Sequence, residues 1–552
     1  MRGMLRYTVL TNNGETLGEV QIKRGIFQGD SLSPLLFIIA MIPLTMILRK
    51  EPKGYHFGDS KRKVNHLLFM DDLKLFGKNK DDLEKLCKVV YDYSKDIGME
   101  FGMEKCAILV TKAGQKIEAE GIELPDKTVM SEVENRGYKY LGILEAAGIQ
   151  SKEMKNIVQK EYYRRVKLVT KTKLYARYMI GAINTWAVST VRYSAGILDW
   201  TDAELEKMDV KTRKILTMNG VHHKRSSVGR LYIKRKDGGR GLISISECVK
   251  SEEANLREYV KESKEWMLEV VADNLEDGMS KKELKKQIHT QRKDRLHGKI
   301  LHGKYFREVR EVADEKSWQW MNGGFIDKRT EGFVCAAQEN VLQTNCYKTT
   351  ITKQGDNVKC RKCGKYAETV GHLISGCEML AQSEYRRRHD KMGLRIYWEL
   401  CKKHGMTAKE RWYKEVPYAV RKSADKKFEI WWDQKVPTPA TLEHSRPDVV
   451  VIDHENRKHT LIDFSVPFDP NVVKKEDEKV RNYGRLASEI SRMKKVQVET
   501  VPIVVGALGV VSKRLSKWLK TIGLHDNVIG GLQTATIIGT AAILRKVLST
   551  DA

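Results

Sequence analysis

Four metal-seeking side chains fall close together in the chain as Cys360-x2-Cys363-x8-His372-x4-Cys377. No other feature restricts the local fold so tightly. Three thiolates and an imidazole are a donor set that suits tetrahedral zinc. A CxxC at a knuckle, with His and Cys about one helical turn apart further on, is the geometry a small closed site needs. All four ligand positions are filled, so Zn²⁺ held by Cys360, Cys363, His372 and Cys377 is expected to be structural. The alternative is four scattered reduced residues. The run Arg386-Arg387-Arg388-His389 that follows reads either as a nucleic-acid grip or as a solvated helix face.

The 552 residues carry 99 Lys and Arg against 72 Asp and Glu, a formal charge of +27. The excess runs along the whole chain, which favours nucleic acid over a small acidic substrate or a membrane surface. A hydrophobic share of 41% suffices for packed cores, and 11 prolines with 41 glycines exclude a low-complexity chain. Nine cysteines, an odd number, argue against a complete disulfide framework. Arg2 and Arg6 are followed by a polar, Gly-containing stretch, which does not read as a secretory signal. The longest apolar run, 34–48, is broken by Pro43 and Thr45 and falls short of the ~18 residues of a spanning helix. It is read as a buried core helix, and no membrane partner is expected.

The expected fold class is mixed α/β and multidomain. Residues 1–150 mix short strand and helix patterns: Leu67–Met70 and 73–76 read as strands meeting at an acidic turn, and 81–97 has helical spacing. Residues 151–350 are basic and helix-prone, with 234–241 as a basic loop. The Cys/His cluster occupies 351–380, and 381–435 reads as a helical connector. In 436–552 strands are expected at 449–452, 460–466 and 496–505, with a charged helix over 473–493.

Two acidic constellations stand on this frame. Asp71 and Asp72 at a hairpin turn repel each other unless a cation neutralises them, and Mg²⁺ takes carboxylate and phosphate oxygens; a solvated Asp-Asp turn is the plain alternative. Asp448, in Arg446-Pro447-Asp448, would start one strand and Asp463 would sit on its neighbour, so that the two carboxylates converge on a metal. Lys479 and Tyr483 are four apart, on one helix face. Read without context, these are strand-edge acids and a surface lysine.

Gln28-Gly29-Asp30-Ser31-Leu32-Ser33-Pro34, Phe69-Met70-Asp71-Asp72, Gly102-Met103-Glu104-Lys105 and Tyr138-Lys139-Tyr140-Leu141-Gly142 occur in the order of the later palm motifs of a known family. In these blocks the chain resembles the reverse transcriptases of non-LTR retrotransposons. Trp200-Thr201-x2-Glu204-Leu205 and Gly238-Gly239-Arg240-Gly241-Leu242 resemble the stretch that follows their thumb. The acid pair with Lys479 resembles the PD-(D/E)XK-like, restriction-enzyme-like nuclease at the C-terminus of R2-like elements. Ser465 stands where many relatives of that nuclease fold carry their lysine.

The resemblance implies a partial palm and thumb, a helical linker, a zinc knuckle and an endonuclease domain. Asp71 would hold catalytic metal with Asp72 beside it, and Gln28, Gly29 and Asp30 would line the template and nucleotide pocket. Lys105 would approach the triphosphate, while Tyr140, Leu141 and Gly142 would grip the primer end. Asp448, Asp463 and Lys479 would cut DNA with Mg²⁺ or Mn²⁺, aided by Tyr483. The family takes a further metal-binding Asp from upstream, but residues 1–27 hold only Glu15 and Glu19 as acids. The expectation is therefore an N-terminally truncated copy with polymerase activity weakened and DNA nicking better retained. The implied partners are template RNA, target DNA and nucleotide triphosphates, acting in target-primed reverse transcription in the nucleus. The alternatives are a decayed nucleic-acid-binding protein without catalysis and, less favoured, a protein-interaction platform built on the knuckle.

Overall fold

The computed structural model describes residues 7–21, 29–56, 62–118, 120–133, 137–323, 325–439 and 441–549. The chain divides into two compact units, residues 1–156 and 157–552.

In the first unit, Tyr7–Asn12 and Glu15–Gln21 form an antiparallel hairpin. Its turn residues Asn13 and Gly14 have φ of 50° and 87°, the left-handed pair that a two-residue hairpin turn requires. The acidic hairpin expected around Asp71 is present, with His66–Phe69 paired to Asp72–Leu75 and Phe69 opposite Asp72. The helix expected over 81–97 spans Lys80–Ile97. Asn79 caps its start by accepting from Asp82 N at 2.9 Å, and left-handed Gly98 ends it. The apolar run at 34–48 lies in the helix Ser33–Lys50, and the expectation of a buried core helix is corrected. Met41, Leu44 and Leu48 pack on Leu86 and Val90, but Leu35, Ile38, Ile39, Ile42, Met46 and Ile47 are exposed. The run is apolar all round, so its sequence carries no signal of which face is covered.

In the second unit a five-stranded sheet runs in the order Val420–Lys422, Phe428–Trp432, Val449–Asp453, Lys458–Ser465, Gln497–Val504. Every neighbouring pair is antiparallel except the last, which is parallel and is joined through the helix Val472–Lys494. That connection obeys the rule that parallel strands need a long crossover. One face of the sheet packs Ile430, Val449, Ile462 and Phe464 against Met392, Ile396 and Leu400 of the helix Arg386–Lys403. The other packs Val450, Ile452 and Leu461 against Tyr483, Leu486 and Ile490 of the crossover helix. The expected helical connector 381–435 is corrected beyond Lys403: residues 420–432 are two strands of this sheet, so the sheet begins before 436. The helix Ile529–Leu548, not anticipated, buries Leu532, Ile537, Ala541 and Leu544 in the same unit. Together with Ser33–Lys50 it meets the length and composition of a membrane span, but 61% of its apolar window is buried inside the protein.

The basic segment 234–241 is the expected loop between two helices, Val228–Tyr232 and Ile245–Glu262, but its arginines are turned inward. Arg235 and Arg240 both pair with buried Glu331, and Arg230 pairs with buried Glu339. These cations neutralise carboxylates about a hundred residues downstream, which a local reading of charge runs cannot see.

Candidate metal-ion sites

Asp71 and Asp72 sit at the tip of their hairpin, both exposed, with Met70 at φ 55° in the turn. On the neighbouring hairpin of the same unit, Tyr138–Tyr140 pairs with Ile143–Glu145, and Leu141 and Gly142 form the left-handed turn. Burial and the charge of Asp72 push the phenols of Tyr138 and Tyr140 up. Lys74 pairs with Glu145 and lies 5.1 Å over the Tyr140 ring. Lys105 is exposed at the end of the short turn of helix Met103–Lys105. Asp30 accepts from Leu32 N at 2.9 Å, leading into the helix at Ser33; Gly29 is described and exposed, while Gln28 lies outside the described residues.

Cys360, Cys363, His372 and Cys377 converge, with one ligand atom from each lying within 4.8 Å of the others. Cys360 Sγ is 4.0 Å from Cys377 Sγ, and Cys363 Sγ is 3.4 Å from His372 Nε2. Ligands at about 2.0–2.3 Å around one tetrahedral zinc stand at nearly these separations, so the donor set fits. The knuckle turn is set by Gly364 N donating to Cys360 O at 2.8 Å and Cys360 N to Tyr366 O at 2.7 Å. Backbone N–H groups of Tyr366 and Lys365 aimed at Cys363 hold its thiol down at about 6, while burial and Cys360 push Cys377 up to about 11. Tyr385 clamps the cluster to the helix that follows: its hydroxyl donates to His372 O (3.1 Å) and Leu373 O (2.9 Å) and accepts from Cys377 N at 3.1 Å.

That helix, Arg386–Lys403, leads to the second acidic pair. Asp448 immediately precedes one strand and Asp463 lies on its neighbour, where Val449 is opposite Ile462. Phe464 N donates to Asp448 Oδ2 at 2.6 Å, tying one carboxylate to the residue beside the other. Lys479 Nζ is 2.5 Å from Asp463 Oδ2, and Tyr483 OH donates to Asp463 Oδ1 at 2.8 Å and to Arg446 O at 3.1 Å. Asp463, Lys479 and Tyr483 are therefore brought together, and Asp448 sits at the same strand ends. Arg446 turns away to Asp433, whose N–H donates to Asp448 O at 2.8 Å.

His389 belongs to this cluster, although the sequence reading left it in a basic run. Its Nε2 is 3.2 Å from Asp448 Oδ2. Its neighbour Arg388 is turned inward: it is buried and donates to Thr540 Oγ1 at 3.0 Å. The only sequence signal for His389 was its distance past the Cys/His cluster, which has no meaning until the helix is placed on the sheet. Burial opposes a charge on His389, but hydrogen bonds to Asp390 and Asp448 prevail and raise it to about 10. Burial likewise opposes the Asp448 carboxylate, yet His389, the Phe464 N–H and Lys479 hold it below the ordinary range. Asp463 moves the other way, pushed up by burial and by Asp448.

The signs set a pH dependence. The raised histidine stabilises the fold fully below its unfolded value near 6.5 and loses that contribution as pH rises through about 10. The depressed Asp448 contributes above 3.8 and loses its share as pH falls below it. In buffer without Mg²⁺ or Mn²⁺ the melting temperature is expected to decline between pH 7 and pH 10. His389→Gln should flatten that decline, which thermal unfolding at stepped pH checks.

Asp448, His389 and Trp432 line a cavity of about 1070 Å³ together with His372, Gly376 and Lys474. One acid of the pair and one member of the Cys/His cluster thus border the same space.

Comparison with known proteins bears on these sites. Residues 2–144 match the family described as reverse transcriptase (RNA-dependent DNA polymerase). The chain is 26% identical over 254 residues to a retrovirus-related Pol polyprotein from type-1 retrotransposable element R2 of Popillia japonica, covering 43% of this chain and 39% of that protein. It is 22% identical over 545 residues to the corresponding R2 polyprotein of Nasonia vitripennis, covering 94% of this chain and 48% of the relative. Over 141 residues it is 30% identical to the Pol polyprotein of element R2DM of Drosophila melanogaster, covering 25% of this chain and 13% of that one. The chain spans about half the length, or less, of these relatives.

Proposed function

The chain is related to the polyproteins of R2-like non-LTR retrotransposons, and from that premise we propose that it nicks target DNA and serves target-primed reverse transcription. In this reading, residues 436–552 with the two strands before them act as a PD-(D/E)XK-like endonuclease. Residues 2–144 belong to an RNA-directed DNA polymerase that would extend the freed 3′-hydroxyl along template RNA. The partners are target DNA, template RNA and nucleotide triphosphates, and the place of action is the nucleus. The observation that carries the nicking half is the meeting of Asp463 and Lys479 beside Asp448, which itself lines the cavity.

The donor set suits Mg²⁺ or Mn²⁺. Asp463 Oδ2 is buried and receives no well-aligned hydrogen bond, although the Lys479 ammonium lies beside it; Asp448 is partly buried against His389, and a carboxylate pair so close together favours cations around it. Asp448 and Asp463 would hold the ion, which when bound polarises a phosphate oxygen and makes water a nucleophile near neutral pH. Tyr483 fixes the Asp463 rotamer through its 2.8 Å hydrogen bond. Lys479 supplies a positive charge to meet the charge that builds on a phosphate oxygen. Zn²⁺ held by Cys360, Cys363, His372 and Cys377 would fix the far wall of the cavity.

Asp71 and Asp72 are exposed at the tip of their hairpin, whereas Asp448 and Asp463 are partly buried and buried beside Lys479 and His389. In this reading nicking is the better-retained activity, and a second reading is that the polymerase half only binds nucleic acid. A supercoiled plasmid incubated with the chain and Mg²⁺ or Mn²⁺ should be converted to the nicked circle. Asp448→Ala with Asp463→Ala should abolish conversion while gel-shift affinity for DNA persists. No conversion by the unsubstituted chain, with binding intact, would leave the binding-only reading.

A further inference from the structure

The loop between the helix Arg386–Lys403 and the first strand of the sheet exposes aromatic rings among unpaired cations. Tyr413 and Tyr418 are 56% and 62% exposed, and Val416 between them is 68% exposed. Large apolar side chains seldom stand this far out in a row without a function. They are also held in place. Trp412 and Tyr413 meet edge to face at 5.8 Å, and Arg411 Nη1 donates to Tyr413 OH at 2.9 Å. The Arg421 guanidinium lies 4.6 Å over one face of Tyr418 and is fixed there by Glu415 at 2.9 Å and Thr407 O at 2.8 Å. Tyr418 N donates to Tyr397 OH at 3.2 Å. The rings are pre-oriented, so a partner stacking on them would pay little ordering entropy.

Charge selects the partner. Residues 395–421 contain seven Lys and Arg against three Glu. Glu399 and Glu415 are already paired, with Arg395 at 2.5 Å and Arg421 at 2.9 Å. Lys402, Lys409, Arg411 and Lys414 make no ion pair among the described residues. Exposed π faces beside cations that lack a carboxylate partner suit a polyanion with accessible flat bases, which is single-stranded nucleic acid; in a duplex those base faces are hidden.

The sheet register brings this loop to the catalytic end. Trp432 N donates to Ala419 O at 3.0 Å, and Asp433 N to Asp448 O at 2.8 Å. The backbone after Tyr418 is therefore about two strand spacings, roughly 10 Å, from Asp448. At about 3.4 Å per nucleotide of a stacked strand, that is some three bases. We infer that Tyr413 and Tyr418 form a stacking platform for unpaired DNA bases that flank the phosphate cut at Asp448 and Asp463. The inference rests on the nicking function proposed above, but it is tested by binding and cross-linking, with nicking scored separately.

The full chain is titrated, without added Mg²⁺ or Mn²⁺ and at raised salt, with a single-stranded oligodeoxynucleotide carrying 5-iodouracil and with the matching duplex. Tyr413→Ala and Tyr418→Ala should each lower single-strand affinity about fivefold or more, as loss of one base stack does. Duplex affinity should change less than about twofold, and the Phe variants should bind like the parent. Ultraviolet cross-linking should map to residues 409–421. Equal losses on both DNA forms, unchanged single-strand binding, or cross-links confined to other segments would overturn the platform, and so would a role for these rings in holding a protein instead. Normal single-strand binding by the variants in a chain that nicks plasmid would sink this inference alone. A working platform in a chain that never nicks would sink the nuclease reading alone.

Discussion

Asp463→Asn is expected to lower plasmid nicking about a thousandfold while leaving the melting temperature nearly unchanged. The side chain keeps its size, and its amide oxygen can still accept from Tyr483 OH, which now sits 2.8 Å from Asp463 Oδ1. What would disappear is one of the two anionic ligands proposed for a divalent ion, and a Lewis acid supplies several kcal/mol of transition-state stabilisation. About 4 kcal/mol corresponds to a factor near 10³ in rate. Stability behaves differently because the Asp463 carboxylate is held in an unfavourable place by burial and by Asp448. Neutralising it removes that penalty and roughly offsets the lost ion pair with Lys479. Nicking kinetics and thermal unfolding of the same preparation check both halves. A fall in rate matched by a fall in melting temperature would mark Asp463 as a packing residue.

The second large effect concerns the thiolates. Cys377→Ser is expected to lower the melting temperature by roughly 5 °C or more and to release zinc measurable by a colorimetric chelator. Zinc bound by such a donor set contributes folding free energy directly, on the order of 10 kcal/mol in isolated fingers. Here the cluster is not isolated: Cys360 and Cys377 are buried with Val370, Leu373 and Ile374 in a core that also contains Val472, Val504 and Ile537. Loss of the metal therefore loosens a wall shared with the sheet. Nicking should fall as well, since Tyr385 ties His372 and Cys377 to the helix that carries His389. Cys346→Ser, outside the cluster and only partly buried, should leave zinc content and melting temperature unchanged.

Local patterns carried much of this architecture. The helix Lys80–Ile97 had its spacing in the sequence, and the strands beside Asp71–Asp72, after Asp448 and around Asp463 were legible there too. The spacing of Cys360 to Cys377 gave a ligand set that the structure brings together. What escaped was non-local. The strands Val420–Lys422 and Phe428–Trp432 are short, the first charged and the second aromatic, and only the sheet they join makes them strands. His389 acquires a role from Asp448, fifty-nine residues further on, and Arg240 from Glu331, ninety-one residues further on. Ser33–Lys50 looked like a core element because composition reports how apolar a segment is, not what covers it.

The order of the sheet has a consequence for the timing of biosynthesis. Asp448 and Asp463 lie on an antiparallel hairpin that can form as soon as it leaves the ribosome. Lys479 and Tyr483 ride on a crossover helix whose parallel partner strand, Gln497–Val504, emerges later. Non-local parallel pairing is slow compared with hairpin closure. A nascent chain stalled before residue 497 would therefore display two acids without the lysine's lasting support, and the proposed competence to cut would wait for the strand Gln497–Val504.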